Sequence, residues 1–377
     1  MKILFVLENY LPHIGGVEIV FKNLCEGLVR LGHKVDIVTH RIKGTEKFEN
    51  INGVNVYRVN CFYSRYWFSF LSIPKVLRLS KEADIIHTTT FNAAFPAWVG
   101  AKLLKKTSII TVHEVWVGKW KELTEMGNVG AFIHNLLERA IYSLKFDRYI
   151  CVSNSTKKQL ESIGKEAEKI EVVYNGVDYG HWNPKSYDSG EIREEIGVDD
   201  NNFLCLFYGR PGVSKGFECL LKAVPLIKEK IPNVKLLAIL SKDKTYSKRY
   251  SYMIRLIKEL EIEQDAVIHD PVDYKELPKY VKAADCVVVP SLAEGFCFTA
   301  AEACAMEKPI VASNTTSIPE VISGKYVLVE PKNPEEIAKG ICSVYHREYT
   351  EKPLKRFELN ENIEGYLKVY GRLLNEN

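Results

Sequence analysis

The feature that most constrains the fold is a pattern that occurs twice: an apolar run, a glycine-bearing turn, then a helix-spaced stretch. Residues 2–7 are apolar and read as a buried strand. A loop with Pro12 and Gly15-Gly16 follows. Over 17–31 the apolar residues Val17, Val20, Phe21, Leu24, Leu28 and Leu31 fall at helical spacing, and Gly32 ends the helix. Residues 203–208 repeat the strand, Gly209 and Gly212 the turn, and a helix is expected from Gly216 to about Lys230. Further strands are expected at 35–38, 54–59, 84–88, 108–112, 148–152 and 170–173, then at 234–240, 266–269, 286–289 and 309–312. Helices are expected near 92–104 and 128–144, with a highly charged one near 246–261. This alternation predicts an α/β protein of two parallel, doubly wound sheets. Residues 179–200 are polar, carry Gly and Pro, and read as the linker. A length of 377 residues suits two domains, and 46% hydrophobic residues suffice for two cores. Open sheets of this kind bind ligands beyond the carboxyl ends of their strands, so a cleft between the domains is expected.

Several classes are disfavoured. The nine cysteines include no Cys-x-x-Cys pair, which argues against a zinc ribbon or redox dithiol. They read as buried thiols of a reducing cytosol. The first residues lack a signal-peptide cleavage pattern, and no apolar run approaches a bilayer span. The net charge is +3, and no nucleic-acid reader motif appears. The charge is uneven: residues 1–185 hold 25 Lys and Arg against 18 Asp and Glu. The aromatic segment 65–71, with Lys75, Arg78 and Lys81, reads either as an interfacial membrane patch or as a core helix on the first sheet.

Four places carry chemistry. Gly15-Gly16 before a helix can offer backbone N–H groups to an anion, but the G-x-G-x-x-G dinucleotide pattern is absent. In Arg210-Pro211-Gly212-Val213-Ser214-Lys215-Gly216, two cations between a strand and a helix suit a pyrophosphate, and the spacing is not that of a Walker loop. Glu294 and Glu302 bracket a turn and a helix start after the apolar run ending at Pro290. Carboxylates there can accept hydrogen bonds from sugar hydroxyls, act as an acid/base couple, or simply favour a helix N-terminus. His113 closes a predicted strand, where a lone histidine is either structural or aimed into the crevice.

In this order, the four sites resemble the retaining glycosyltransferases of the GT-B fold, family 4 (glycosyl transferases group 1). The most specific part is Tyr208-Gly209-Arg210 with Lys215-Gly216, then Ala284-Asp285, Pro290-Ser291, Glu294-Gly295-Phe296, Glu302 and Ile318-Pro319-Glu320-Val321-Ile322. Pro12, Gly15-Gly16, Glu18, Val152-Ser153, Ser155 and Asn175-Gly176-Val177-Asp178 match the first half. The resemblance implies two Rossmann-like domains facing a cleft: 1–182 on the acceptor side, and 190–358 binding the nucleotide sugar. It also implies that the terminal helix, 360–377, packs back on the first domain.

By the same resemblance, Arg210 and Lys215 neutralise the donor diphosphate, Glu302 holds the ribose, and Glu294 binds sugar hydroxyls. Backbone groups around Phe296, Cys297, Phe298 and Thr299 assist. His113 contacts the sugar near the reacting carbon, and Gly15 and Gly16 face a phosphate. No cofactor or metal is required beyond the nucleotide sugar, GDP-mannose or a UDP-sugar. The implied acceptor is a hydroxyl of a glycan, lipid-linked or cell-envelope glycoconjugate. The expected setting is the cytoplasm, with peripheral contact at an anionic inner membrane face and no nucleic-acid partner. Cys297 and Asp270 stand where the family usually has glycine. A nucleotide-sugar epimerase and a non-catalytic nucleotide-sugar-binding subunit are the competing readings.

Overall fold

The computed structural model describes residues 1–62, 64–242 and 244–376. The chain resolves into two compact units. One comprises Met1–Trp120, Gly127–Gly176 and the chain from Phe357 onward; the other comprises Lys121–Met126 and Val177–Arg356.

Among the described residues the first unit holds eight strands: β1 (Lys2–Val6), β2 (Lys34–His40), β3 (Phe48–Ile51), β4 (Val54–Val59), β5 (Ile85–Thr89), β6 (Thr107–Val112), β7 (Arg148–Cys151) and β8 (Ile170–Val172). Their order is β3-β4-β2-β1-β5-β6-β7-β8. All pairs are parallel except β3 with β4. The central strands are buried on both faces, which explains continuous apolar runs such as Ile3-Leu4-Phe5-Val6.

The second unit holds β9 (Phe203–Gly209), β10 (Val234–Leu240), β11 (Ala266–His269), β12 (Cys286–Val289), β13 (Ile310–Ser313), β14 (Gly324–Val329) and β15 (Thr350–Lys352). The order is β11-β10-β9-β12-β13-β14-β15, parallel except for β14 with β15. Neither sheet is therefore purely parallel. Each ends in one short antiparallel edge strand absent from the sequence reading, a common way to finish a doubly wound sheet.

The last helix, Leu359–Glu376, belongs to the first unit. Ile363, Tyr366, Val369, Tyr370 and Leu373 form its buried stripe and join the core beneath β1, β2 and β5. Full burial of such side chains contributes about 1.5–3 kcal/mol each. Polar contacts fix the register. Tyr370 Oη lies 2.6 Å from His87 Nδ1, and Tyr366 Oη lies 3.2 Å from Thr111 Oγ1. Gly27, in the helix Gly16–Arg30, permits the close approach: a Cβ there would sit 3.0 Å from Ile363 Cγ1 and nearer still to Cδ1.

Two local expectations change. The polar stretch 179–200 is folded rather than a free linker. It contains the helix Gly190–Glu195, and Trp182 is fully buried, its Nε1–H donating to Tyr274 Oη at 3.0 Å. In segment 65–71 Phe68 alone enters the core, while Tyr66, Trp67, Phe70 and Leu71 are exposed. Seven cysteines are buried, Cys219 and Cys342 are half-buried, and all nine are free thiols.

Candidate functional site

In the second unit, the loop after β9 is clamped to the loop after β12. Gly216 is left-handed (φ 64°) and opens the helix Phe217–Lys228. A Cβ at Gly216 would stand 2.8 Å from the Pro290 carbonyl carbon and overlap its oxygen. Only glycine satisfies both the dihedral and the approach. The Leu292 N–H donates to Ser214 O at 2.7 Å and closes the clamp. β9 and β12 are neighbours, so both loops leave the same end of the sheet.

This clamp places Lys215 Nζ 2.7 Å from Glu294 Oε1. Ser291 Oγ donates to the same oxygen at 2.7 Å. The Glu294 N–H donates to Thr316 Oγ1 at 2.9 Å, and Ser317 Oγ donates to the Glu294 carbonyl at 3.0 Å. The buried Glu294 is thus held at its carboxylate by Lys215 and Ser291 and at its backbone by Thr316 and Ser317. Burial is the strongest single influence and would lower the Lys215 pKa, but the Glu294 charge and hydrogen bond, together with Cys297, raise the value overall, so the ammonium is secure. Arg210 is exposed, near enough to oppose that rise, and its guanidinium reaches Tyr246 Oη at 3.3 Å.

The helix Phe298–Ala305 begins at Cys297, which is left-handed (φ 75°) and buried. This conformation accounts for the expected glycine at the position. Burial pushes the thiol pKa up, and the Glu294 charge adds to that, opposed by Lys215. The side chain therefore projects among the residues expected to hold a donor sugar. Phe298 and Thr299 are half-buried at the helix start, and the Phe296 ring meets Phe298 at 5.2 Å. Glu302 follows on the inner face, accepting from Tyr208 Oη at 2.9 Å. Its burial pushes the carboxyl up to about 7, although the Tyr208 hydrogen bond and Lys215 favour the ionised form. Asp270, beyond β11, is exposed and ion-paired with Lys242.

In the first unit, Gly15 is the extended residue before the helix Gly16–Arg30. A Cβ on Gly15 would lie 2.6 Å from Glu18 Oε2. Glu18 Oε1 is 3.2 Å from His13 Nδ1. His113 directly follows β6, its ring 5.9 Å from Phe21 on the same helix. Its Nε2 is buried, with no hydrogen-bond partner among the described residues. Burial lowers the imidazole pKa to about 4 against the opposing pull of Glu18, so His113 is neutral at pH 7.

The structure therefore gathers Lys215, Glu294, Cys297 and Glu302 in one unit, with Arg210 beside them. It gathers Gly15, Gly16, Glu18 and His113 in the other. Sequence reasoning missed Ser291, Thr316 and Ser317 as supports of Glu294, and Tyr208 as the partner of Glu302. Tyr208 lay inside an apolar run, and Thr316 and Ser317 lie more than twenty positions from the carboxylate they hold. Among the described residues, no cluster of three or more His, Cys, Asp or Glu is arranged to hold a metal ion.

Comparison with known proteins agrees with this layout. Residues 14–180 match the model of Glycosyltransferase Family 4, and residues 188–365 match Glycosyl transferases group 1. The chain is 34% identical to the uncharacterized glycosyltransferase MJ1607 of Methanocaldococcus jannaschii, over 91% of this chain and 89% of that protein. It is 24% identical to the D-inositol 3-phosphate glycosyltransferase of Corynebacterium jeikeium, over 95% and 92%. The sucrose-phosphate synthase of Thermosynechococcus elongatus superposes with a TM-score of 0.77 at 20% identity, covering 100% and 99%. Anabaena HepE, solved with UDP and glucose, superposes at 0.76 with 18% identity, covering 99% and 100%. Two units built this way, matched half by half and followed along nine-tenths of a relative, place the chain in the group 1 glycosyltransferases of the GT-B fold.

Proposed function

We propose that this glycosyltransferase moves a hexose from a nucleoside-diphosphate sugar to an acceptor hydroxyl, with retention at the anomeric carbon. The observation that carries the proposal is the Lys215–Glu294 pair at 2.7 Å, fixed by Ser291 on a loop clamped by Gly216. A cation and a carboxylate preorganised side by side fit the boundary between a diphosphate and the sugar it carries. Lys215 and Arg210 stabilise charge on the departing diphosphate, the largest electrostatic demand of the transfer. Glu294 accepts from sugar hydroxyls. Glu302, when ionised, accepts from the ribose hydroxyls, with Tyr208 holding its other oxygen. Phe296, Cys297, Phe298 and Thr299 form the wall and helix start against the sugar.

In the first unit, the backbone N–H groups at Gly15 and Gly16 are assigned to a phosphate. His113, neutral at pH 7, is assigned to a hydroxyl near the reacting carbon through Nε2. We assign same-face attack, with the leaving phosphate taking the acceptor proton. Glu294 is paired with Lys215 and so is committed to binding rather than to nucleophilic attack. The names of two relatives, D-inositol 3-phosphate glycosyltransferase and alpha-monoglucosyldiacylglycerol synthase, support a polyol phosphate or lipid-linked hydroxyl as acceptor. The donor is a GDP- or UDP-hexose.

The test begins with a thermal-shift screen of UDP-, GDP- and ADP-sugars. Transfer assays with the stabilising donor follow, and NMR reads the anomeric configuration of the product. Lys215→Ala should keep its circular dichroism and lose at least about a hundredfold in kcat/KM. Near-normal turnover in that variant, or an inverted product, overturns the corresponding assignment.

A further inference from the structure

The helix Asn128–Ser143 presents its most apolar face outward. Its buried positions are Ala131, Glu138 and Tyr142. Glu138 accepts from the Trp116 N–H at 2.8 Å and from Trp120 Nε1 at 2.6 Å, so a carboxylate anchors the inner face. The outer face carries Val129, Phe132 (68% exposed), Ile133, Leu136 (59%) and Leu137, an unbroken stripe at helical spacing. A second patch lies on the turn Arg65–Trp67 and the helix Phe68–Leu71, with Trp67 (55%) and Phe70 (58%) outward beside Phe62 and Tyr66.

The patches are linked by packed aromatics. Phe70 meets Phe95 at 5.9 Å, and Phe95 stacks on Trp98 at 6.4 Å. Trp98 packs against the cluster that contains Tyr142 of the long helix. Phe91 meets Trp120 at 6.0 Å, and Trp120 meets His134 of the same helix at 4.9 Å. Single exposed apolar residues are ordinary on a protein surface, but a stripe of five along one helix and a second aromatic patch are not.

The surrounding charge selects the occupant. Residues 61–120 and 127–145 of the first unit, which carry both patches, hold ten Lys and Arg against four Asp and Glu. One of the four, Glu138, is buried. Arg65, Arg78, Lys102, Lys105, Lys119 and Arg139 are exposed. Such a balance repels a second copy of the same surface and complements an anionic one. Trp and Tyr beside Lys and Arg match a headgroup boundary, where rings and aliphatic side chains enter and cations stay out. Among the described residues no helix is long and apolar enough to cross a membrane.

We propose that this band docks the first unit on the surface of an anionic bilayer, with the outer face of Asn128–Ser143 and the Trp67–Phe70 patch entering the headgroup layer. The proposal is independent of the donor and of the transfer chemistry. Its test is co-sedimentation of the full chain with phosphatidylglycerol vesicles and with phosphatidylcholine vesicles, at low and high salt. The wild type should bind phosphatidylglycerol preferentially and release in salt. The double variants Phe132→Asp/Leu136→Asp and Trp67→Ser/Phe70→Ser should each lose roughly tenfold or more in partitioning. Their melting temperatures should hold, since all four side chains face solvent. The proposal is overturned by a wild type that ignores vesicles, by equal binding to both lipids, or by variants that bind unchanged. It is equally overturned by a wild-type dimer in solution that does not bind vesicles and that the Phe132→Asp/Leu136→Asp variant converts to monomer.

Discussion

Gly216→Ala tests the clamp that builds the donor side. An alanine at φ 64° costs about 1–2 kcal/mol from the left-handed conformation alone. Its Cβ would also overlap the Pro290 carbonyl oxygen. That oxygen directly follows β12 and cannot swing away, because the chain two residues on is tied to Ser214 by the 2.7 Å bond from Leu292 N–H. Forcing a methyl into such a site costs about 1–3 kcal/mol more. The stiffer unfolded chain returns about 0.4–1 kcal/mol. The net is a destabilisation of about 1–5 kcal/mol, or a melting shift of roughly 2–20 °C for a unit of this size. Gly212→Ala is the internal control. Gly212 has φ −67°, and among the described residues its Cβ would meet only Tyr246 Cε1, at an ordinary 3.6 Å. That variant should change stability by less than about 1 kcal/mol. Differential scanning calorimetry of the three proteins reads the contrast. A Gly216→Ala protein that melts with the Gly212→Ala control would refute the clamp. A variant that melts early yet keeps full transfer at low temperature would separate the clamp from the seating of Lys215.

Three further outcomes follow from the same geometry. The Glu302 carboxyl titrates near 7 in the folded chain against an ordinary 4.5, so its contribution to stability falls as pH rises from about 4.5 to about 7, while the ionised form needed for ribose grows. Donor KM should therefore rise about fivefold between pH 7 and pH 6, and Glu302→Gln should flatten that profile. Cys297→Gly relieves a left-handed cysteine but loses a buried thiol and adds chain entropy, so its stability should stay within about 1 kcal/mol of wild type. Its discrimination among donor sugars should change, and an unchanged donor profile would remove Cys297 from the sugar wall. Tyr370→Phe removes the 2.6 Å contact with His87 in a dry core and should cost about 1–3 kcal/mol in denaturant unfolding.

The sequence made the central strands legible, because burial on both faces leaves runs such as 203–208 and 286–289 apolar throughout. It did not reveal Phe48–Ile51, Gly324–Val329 or Thr350–Lys352. The first is an edge strand with exposed and half-buried residues in alternation, and the last is three exposed residues long. Local chemistry was legible where loop and ligand group are adjacent, as with Arg210, Lys215, Glu294 and Glu302. Support from afar was not: the approach of Glu18 and Phe21 to His113 spans more than ninety positions. The helix Asn128–Ser143 shows a different limit. Periodicity names an apolar face but not its direction, and here that face points to solvent.

The last helix fixes an order of assembly. Everything the second unit needs is contained in residues that precede Phe357, whereas the first unit lacks Ile363, Tyr366, Val369, Tyr370 and Leu373 until the final segment is made. A chain that lacks the final segment has every residue of its later-encoded sheet while its earlier-encoded one still has an open apolar seam beneath β1 and β5, with His87 awaiting Tyr370. Synthesis therefore runs from amino to carboxyl end, but maturation does not. The unit translated first is finished last, and a chain truncated shortly before Leu359 and released would hold one complete sheet and one that still exposes the groove for its missing helix.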